Sequence, residues 1–175
     1  MGIYSPGSSL VMNNVTIIHN QNHGIYCKGG TLDLDNVTVT NNISGGDQGR
    51  GGGIKCNSAT AILRNMIISS NSCNDAGGGI YFEDVNAILE NVTISKNTAV
   101  YGGGIACHRS TFEFDSTNRC NIYHNSANYG NDLELNSYAN VILDTFTVLY
   151  PTEFHALGDI DFDISIKPPG RTILV

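Results

Sequence analysis

The sequence predicts an all-β fold, a parallel solenoid of about six coils with three short strands in each. Three observations carry this. The dipeptide Gly-Ile recurs at Gly2-Ile3, Gly24-Ile25, Gly53-Ile54, Gly79-Ile80 and Gly104-Ile105, with Asp132-Leu133 at the next expected place, giving intervals of 22, 29, 26, 25 and 28 residues. A repeat of that length marks an architecture in which each unit buries its apolar stripe only against its neighbours. Within each unit, short segments alternate apolar and polar residues and are separated by Gly, Asn, Asp and Ser, the pattern of strands joined by turns. The 175 residues also include 21 Asn and 20 Gly, both poor helix formers.

The elements follow in order along each unit. The Gly-Ile dipeptide opens the first strand. A second alternating segment begins about eight residues later, at Leu10, Leu32, Ala61, Ala87, Phe112 and Val141, and a third begins at Val15, Val37, Met66, Val92, Cys120 and Phe146. An insertion within 116–119 keeps the fifth unit in phase. Stacked at the strand spacing of roughly 4.8 Å, the units place Leu34, Leu63, Leu89 and Phe114 in one inward column. Cys27, Cys56 and Cys107 share the inward fourth place of Gly-Ile-x-Cys, where Ser5 and Phe82 stand in other coils; they read as small buried hydrophobes, and the adjacent pair Cys27 and Cys56 leaves a bridge open. Asn20, Asn42, Asn71, Asn97 and Asn125 form a ladder at the bend after the third strand, where an amide can serve both the turn backbone and the coil above. A second column, Asn14, Asn36, Asn65 and Asn91, precedes the third strand and suits a left-handed corner. Four glycosylation sequons start at Asn14, Asn36, Asn42 and Asn91; they are discounted on the expectation that ladder asparagines face their neighbours. A leucine-rich repeat is the rival fold, since Leu89-x-x-Val92-x-Ile94-x-x-Asn97 fits its strand pattern, but no helical periodicity exists to fill its convex side.

A net charge of −7 and a pI near 5.0 argue against a nucleic-acid backbone or an anionic membrane as partner, because both need a basic footprint. No apolar run approaches the roughly 18 residues of a membrane helix. No export signal is visible at Met1-Gly2-Ile3-Tyr4; the repeat begins at residue 2, so the chain is expected to be part of a longer protein.

Activity is expected on the outward columns. Beside the first strand run Tyr26, Lys55, Tyr81, Ala106 and Glu134, then Lys28, Asn57, Glu83, His108 and Asn136. Of these, Tyr26, Lys55, Tyr81, Glu83 and His108 are the candidate ligand-binding residues, since aromatic and ionic groups in one strip can stack and hydrogen-bond sugar rings. Lys55 and His108 are the candidate bases if the site is catalytic. Beside the second strand the column Asn13, Asp35, Arg64, Glu90, Asp115 and Asp144 is mostly acidic. Glu90 and Asp115, one coil apart, are the candidate ligands for a Ca²⁺ ion, with a salt-bridge column around Arg64 as the alternative. No cofactor other than Ca²⁺ is implied. Thr16, Thr38, Thr93 and Thr147 form an interrupted column, and His19 and His124 precede ladder asparagines as an echo of the repeat.

Gly78-Gly79-Ile80-Tyr81, Asn91-Val92-Thr93-Ile94-Ser95-Lys96-Asn97 and Gly102-Gly103-Gly104-Ile105 resemble the repeats of right-handed parallel β-helix proteins of the pectin-lyase-like superfamily. The likeness is greatest to bacterial surface and secreted proteins with Gly-Gly-Gly-Ile-Tyr-Cys repeats, and looser to autotransporter passengers. It covers residues 2–148 and implies right-handed coiling and an extracellular or cell-surface location. Residues 1–148 are read as the repeats and 149–175 as a strand capping the open end plus a linker. The function this implies is a non-catalytic repeat domain, an adhesin or glycan-binding segment, whose partner is a polysaccharide or cell-surface glycan. The alternative is a polysaccharide lyase or glycoside hydrolase, possibly an inactive one; the clustered Asp, Arg or Lys of those enzymes is not evident here.

Overall fold

The computed structural model describes residues 2–46, 49–115, 117–136 and 138–142, together with the backbone of Ile164–Ile166 and Thr172–Leu174. The Gly-Ile segments form the strands Ile3–Pro6, Ile25–Lys28, Ile54–Asn57, Ile80–Glu83, Ile105–His108 and Leu133–Asn136, all parallel and in register, so that Ile3, Ile25, Ile54, Ile80, Ile105 and Leu133 stack in one column. These six strands bound about five complete turns of a parallel β-solenoid. Ile164–Ile166 adds a seventh strand beside Leu133–Asn136.

The second and third segments, expected as separate strands, run as one in the first four coils: Leu10–Ile18, Thr31–Thr40, Thr60–Ser69 and Asn86–Ser95. The corner between them is made inside the strand by Asn14, Asn36, Asn65 and Asn91, whose φ values are 57°, 52°, 52° and 52°. Asparagine tolerates this left-handed backbone better than other side-chain-bearing residues, so the direction changes at an unpaired corner and the same strands pair on both sides of it. In the fifth coil the expected insertion replaces that corner, and the strand splits into Thr111–Phe114 and Asn121–Tyr123. Asn140–Ile142 and the backbone of Thr172–Leu174 extend the same sheet. A narrow third wall pairs Ile43–Ser44 with Ser72–Cys73 and continues through bridges at Thr98 and Ser126. The capping strand expected over 149–175 lies largely outside the described residues.

The ladder explains the glycines. Asn42 Nδ2 donates to Asn71 Oδ1 at 3.0 Å and to the Ile17 carbonyl at 3.1 Å, while its backbone amide donates to the same Asn71 oxygen. Asn71 repeats this onto Asn97, and Asn97 onto Asn125. Each amide lies against the strand glycine: a Cβ on Gly53 would stand 2.9 Å from Asn71 Nδ2, and one on Gly79 2.9 Å from Asn97 Nδ2. Where the sequence departs to Asp132, Asn125 Nδ2 donates to its Oδ1 at 2.8 Å, so the ladder ends on a carboxyl oxygen buried in the glycine's place.

Inside, Leu34, Leu63, Leu89 and Phe114 are buried in one column, as are Cys27, Cys56 and Cys107 with Phe82 between the last two. All five cysteines are free and buried. Cys73 is part of the third wall rather than a loose turn, and burial pushes its thiol up to about 11. Cys120 fills a core place at the split, its thiol pushed up to about 12 by burial, and donates to the Leu89 carbonyl.

Candidate functional site

Strand alternation projects Tyr4, Tyr26, Lys55, Tyr81, Ala106 and Glu134 outward from the first sheet in one register column, and Lys28, Asn57, Glu83, His108 and Asn136 in the next. The loops that return to this sheet fold over the first of these columns. Arg50 donates from Nε to Asp75 at 2.7 Å and from Nη1 to the Tyr81 hydroxyl at 3.0 Å, with its guanidinium 5.2 Å from the centre of the Tyr81 ring. The Asp75 carbonyl in turn accepts the amides of Val100 and Tyr101, which ties consecutive loops together. Ala76, Tyr81 and Ala106 form a small second core under Tyr101. Tyr101 stacks on Tyr129 of the next coil, with ring centroids 5.3 Å apart and planes 13° from parallel.

A cleft of about 280 Å³ lies between these loops and the second column, lined among others by Arg50, Asp75, Tyr81, Tyr101, His108, Glu134 and Asn136. Tyr81, expected to present its ring to a ligand, is only 4% exposed and forms part of the floor. Its hydroxyl is pushed up to about 12 by burial, an effect the Arg50 contact offsets only in part. Glu134 is 2% exposed, so an outward strand position is no guarantee of a solvated side chain. Beside the cleft-lining His108, Glu83 gathers three partners. Asn57 donates to Oε2 at 2.6 Å, Arg109 Nη2 donates to Oε1 at 3.1 Å, and His108 Nδ1 is 3.4 Å from Oε1. Glu83 therefore orients His108 and Arg109.

Tyr26 and Lys55 belong to a different group at the other end of the sheet. Lys55 Nζ lies 5.0 Å from the centre of the Tyr26 ring, and Tyr26 also contacts Tyr4 and His23, at 5.1 and 5.5 Å. Burial, then repulsion from Arg50, lowers the Lys55 ammonium below its ordinary range. The five candidate binding residues thus divide, Tyr26 and Lys55 in one cluster and Tyr81, Glu83 and His108 at the cleft.

The acidic strip on the second sheet is engaged internally. Arg64 pairs with Asp33 rather than with its register neighbour Asp35, which accepts from Asn13 and Asn65. Asp115 Oδ1 accepts the backbone amides of Thr117 and Asn118 at the strand split, at 2.9 and 2.5 Å, and these bonds lower its carboxyl below the usual range. Among the described residues no three His, Cys, Asp or Glu side chains come together as a metal site, and Glu90 and Asp115 gain no third ligand.

Sequence reasoning missed Arg50, Asp75 and Tyr101. Their signal was available in the spacing, because Arg50, Ala76, Tyr101 and Tyr129 each stand four residues before the residue that opens the strand, and Ala76, Tyr101 and Tyr129 bridge as one column. The surface offers flat aromatic rings beside a guanidinium, carboxylates, an imidazole and an amide, groups suited to a polyhydroxylated ring with one apolar face.

A family model described as a right-handed β-helix region matches residues 1–148. The chain belongs to that family. The match spans the described coils and supplies the handedness that the resemblance implied. No significant match was found among curated proteins or among solved structures.

Proposed function

We propose that this β-helix domain is a non-catalytic, extracellular glycan-binding segment, an adhesin-type module of a surface or secreted protein. The observation that carries the reading is the cleft itself. It joins Tyr101, stacked on Tyr129 of the next coil, to the polar groups of Arg50 and Asp75 on the returning loops and of His108 and Asn136 on the sheet. Preorganised rings and fixed polar groups lower the ordering cost of binding a flexible sugar chain. Tyr26 and Lys55, with the exposed ring of Tyr4, offer a second contact further along the same face. The extracellular placement follows from the resemblance to secreted repeat proteins. A glycan array tests the reading, with hits titrated against Tyr101→Ala. Loss of one ring contact is expected to weaken binding about tenfold, or ~1.4 kcal/mol. An array without hits refutes it.

The Glu83 to His108 contact favours a second reading, a polysaccharide lyase or hydrolase with His108 as base. A carboxylate against one imidazole nitrogen orients the ring, and proton transfer at Nε2 requires Arg109 Nη1, 3.1 Å away, to swing aside. Lys55, turned over Tyr26, is outside the cleft lining and is the weaker choice. Incubation with polygalacturonate and alginate, with and without Ca²⁺, distinguishes the readings. Unsaturated products that disappear in His108→Ala would replace the binding module with an enzyme.

A further inference from the structure

Four tripeptides fit the acceptor pattern for attachment of a glycan to asparagine, beginning at Asn14, Asn36, Asn42 and Asn91. The structure separates them. Asn42 is fully buried in the ladder, its Nδ2 committed to the carbonyls of Ile17 and Thr40 and to Asn71 Oδ1. Asn14, Asn36 and Asn91 are exposed and occupy the left-handed corner of the second sheet, one above another. All four face neighbours, as expected, but only Asn42 is buried. In the exposed row Asn14 Nδ2 donates to Asn13 Oδ1, Asn36 Nδ2 to Asn14 Oδ1, Asn65 Nδ2 to Asp35 Oδ1 at 2.8 Å and Asn91 Nδ2 to Asn65 Oδ1 at 2.9 Å.

We infer that Asn91, together with one of Asn14 and Asn36, is an N-glycan acceptor, and that the attached sugars cover the outer face of the second sheet. The inference rests on the extracellular placement proposed above and is independent of the cleft. In the transfer, Asn91 Nδ2 attacks C1 of an oligosaccharide carried on a lipid diphosphate. The new N–C bond forms as the C1–O bond to the diphosphate breaks; Nδ2 gives up one proton and the lipid diphosphate leaves. One hydrogen remains on Nδ2, enough to keep the bond to Asn65. Asn14 and Asn36 are one strand spacing apart, about 4.8 Å, too close for two branched glycans side by side. Asn65, followed by Met66 and Ile67, has no hydroxyl at the required place and so separates Asn91 from Asn36 by two spacings. Val11, Ile18, Ile67 and Ile88 are all large, exposed and on this sheet, each two to four residues from a corner asparagine. Such side chains invite association when left bare.

The test is secretion of the whole chain from eukaryotic cells behind a signal peptide, then peptide-N-glycosidase treatment in ¹⁸O water and mapping by mass spectrometry. The expected result is label at Asn91 and at one of Asn14 and Asn36, with none at Asn42, since a chain modified there cannot close its ladder and does not reach the folded, secreted pool. Thr93→Val, which keeps the β-branched shape and removes the acceptor hydroxyl, should lose the Asn91 label and leave the circular dichroism spectrum unchanged. Folded, secreted protein without label at Asn91, with label at Asn42, or with both or neither of Asn14 and Asn36 labelled overturns the inference. A blank glycan array beside the expected label removes the cleft reading and leaves this one standing; hits on the array without label at Asn91 do the reverse.

Discussion

Asn71→Ala removes the centre of the buried amide ladder. In the folded chain the Asn71 side chain accepts from the Asn42 backbone amide and from Asn42 Nδ2, both at 3.0 Å, and donates to the Val39 carbonyl at 2.9 Å and to Asn97 Oδ1 at 3.1 Å. Alanine can replace none of these, and the residue is only 1% exposed, so water does not reach the gap. Asn42 Nδ2 keeps Ile17 and Thr40 as acceptors, and Asn97 Oδ1 keeps the Asn71 backbone amide. The Asn42 backbone amide is left bare, and the Val39 carbonyl loses its bond from Nδ2. A buried, unsatisfied donor costs about 1–3 kcal/mol and each of the three further lost bonds about 0.5–1.5 kcal/mol, which puts the substitution at roughly 3–7 kcal/mol. Asn65→Gly is the matched control. It also deletes two amide bonds, from Asn91 and to Asp35, but at an exposed corner whose φ of 52° glycine adopts freely, and it should cost under about 1 kcal/mol. Urea titration followed by far-ultraviolet circular dichroism measures both, and unchanged m-values establish that the difference lies in stability. If the two variants fall within about 1 kcal/mol of each other, burial is not what gives the ladder its weight and the reasoning fails.

Gly79→Ala should destabilise by about 2 kcal/mol or more and shift the urea midpoint accordingly, because its Cβ would meet the Gly104 carbonyl at 2.7 Å and Asn97 Nδ2 at 2.9 Å, neither free to move; a midpoint equal to wild type contradicts this. Burial, outweighing its bond to the Gly51 carbonyl, lowers the His23 imidazole below 6.5, so the unfolded chain binds more protons once pH falls below 6.5; the stability this residue contributes is present above that value and lost on further acidification, and His23→Gln should flatten that part of the Tm against pH curve. A thiol reagent at pH 8 should label the native chain slowly, since burial holds the Cys107 and Cys120 thiols near 12, and should count five thiols after denaturation without reductant; a count of three would show a bridge.

The sequence by itself determined the solenoid, because period-2 alternation, the Gly-Ile spacing and the two Asn columns are local constraints that repeat, and a unit unable to bury its own stripe has only its neighbours to use. It also located both asparagine columns and their separate tasks, buried ladder and left-handed corner. Tertiary structure alone decided the site. Alternation assigns a face to each strand residue, but not whether a loop returns over that face, so Tyr81, Ala106 and Glu134 read as outward and are buried. Arg50, Asp75 and Tyr101 come from the connections of unequal length, where no strand period fixes direction, and they meet Tyr81 and His108 only because stacking places successive loops one strand spacing apart along the same edge.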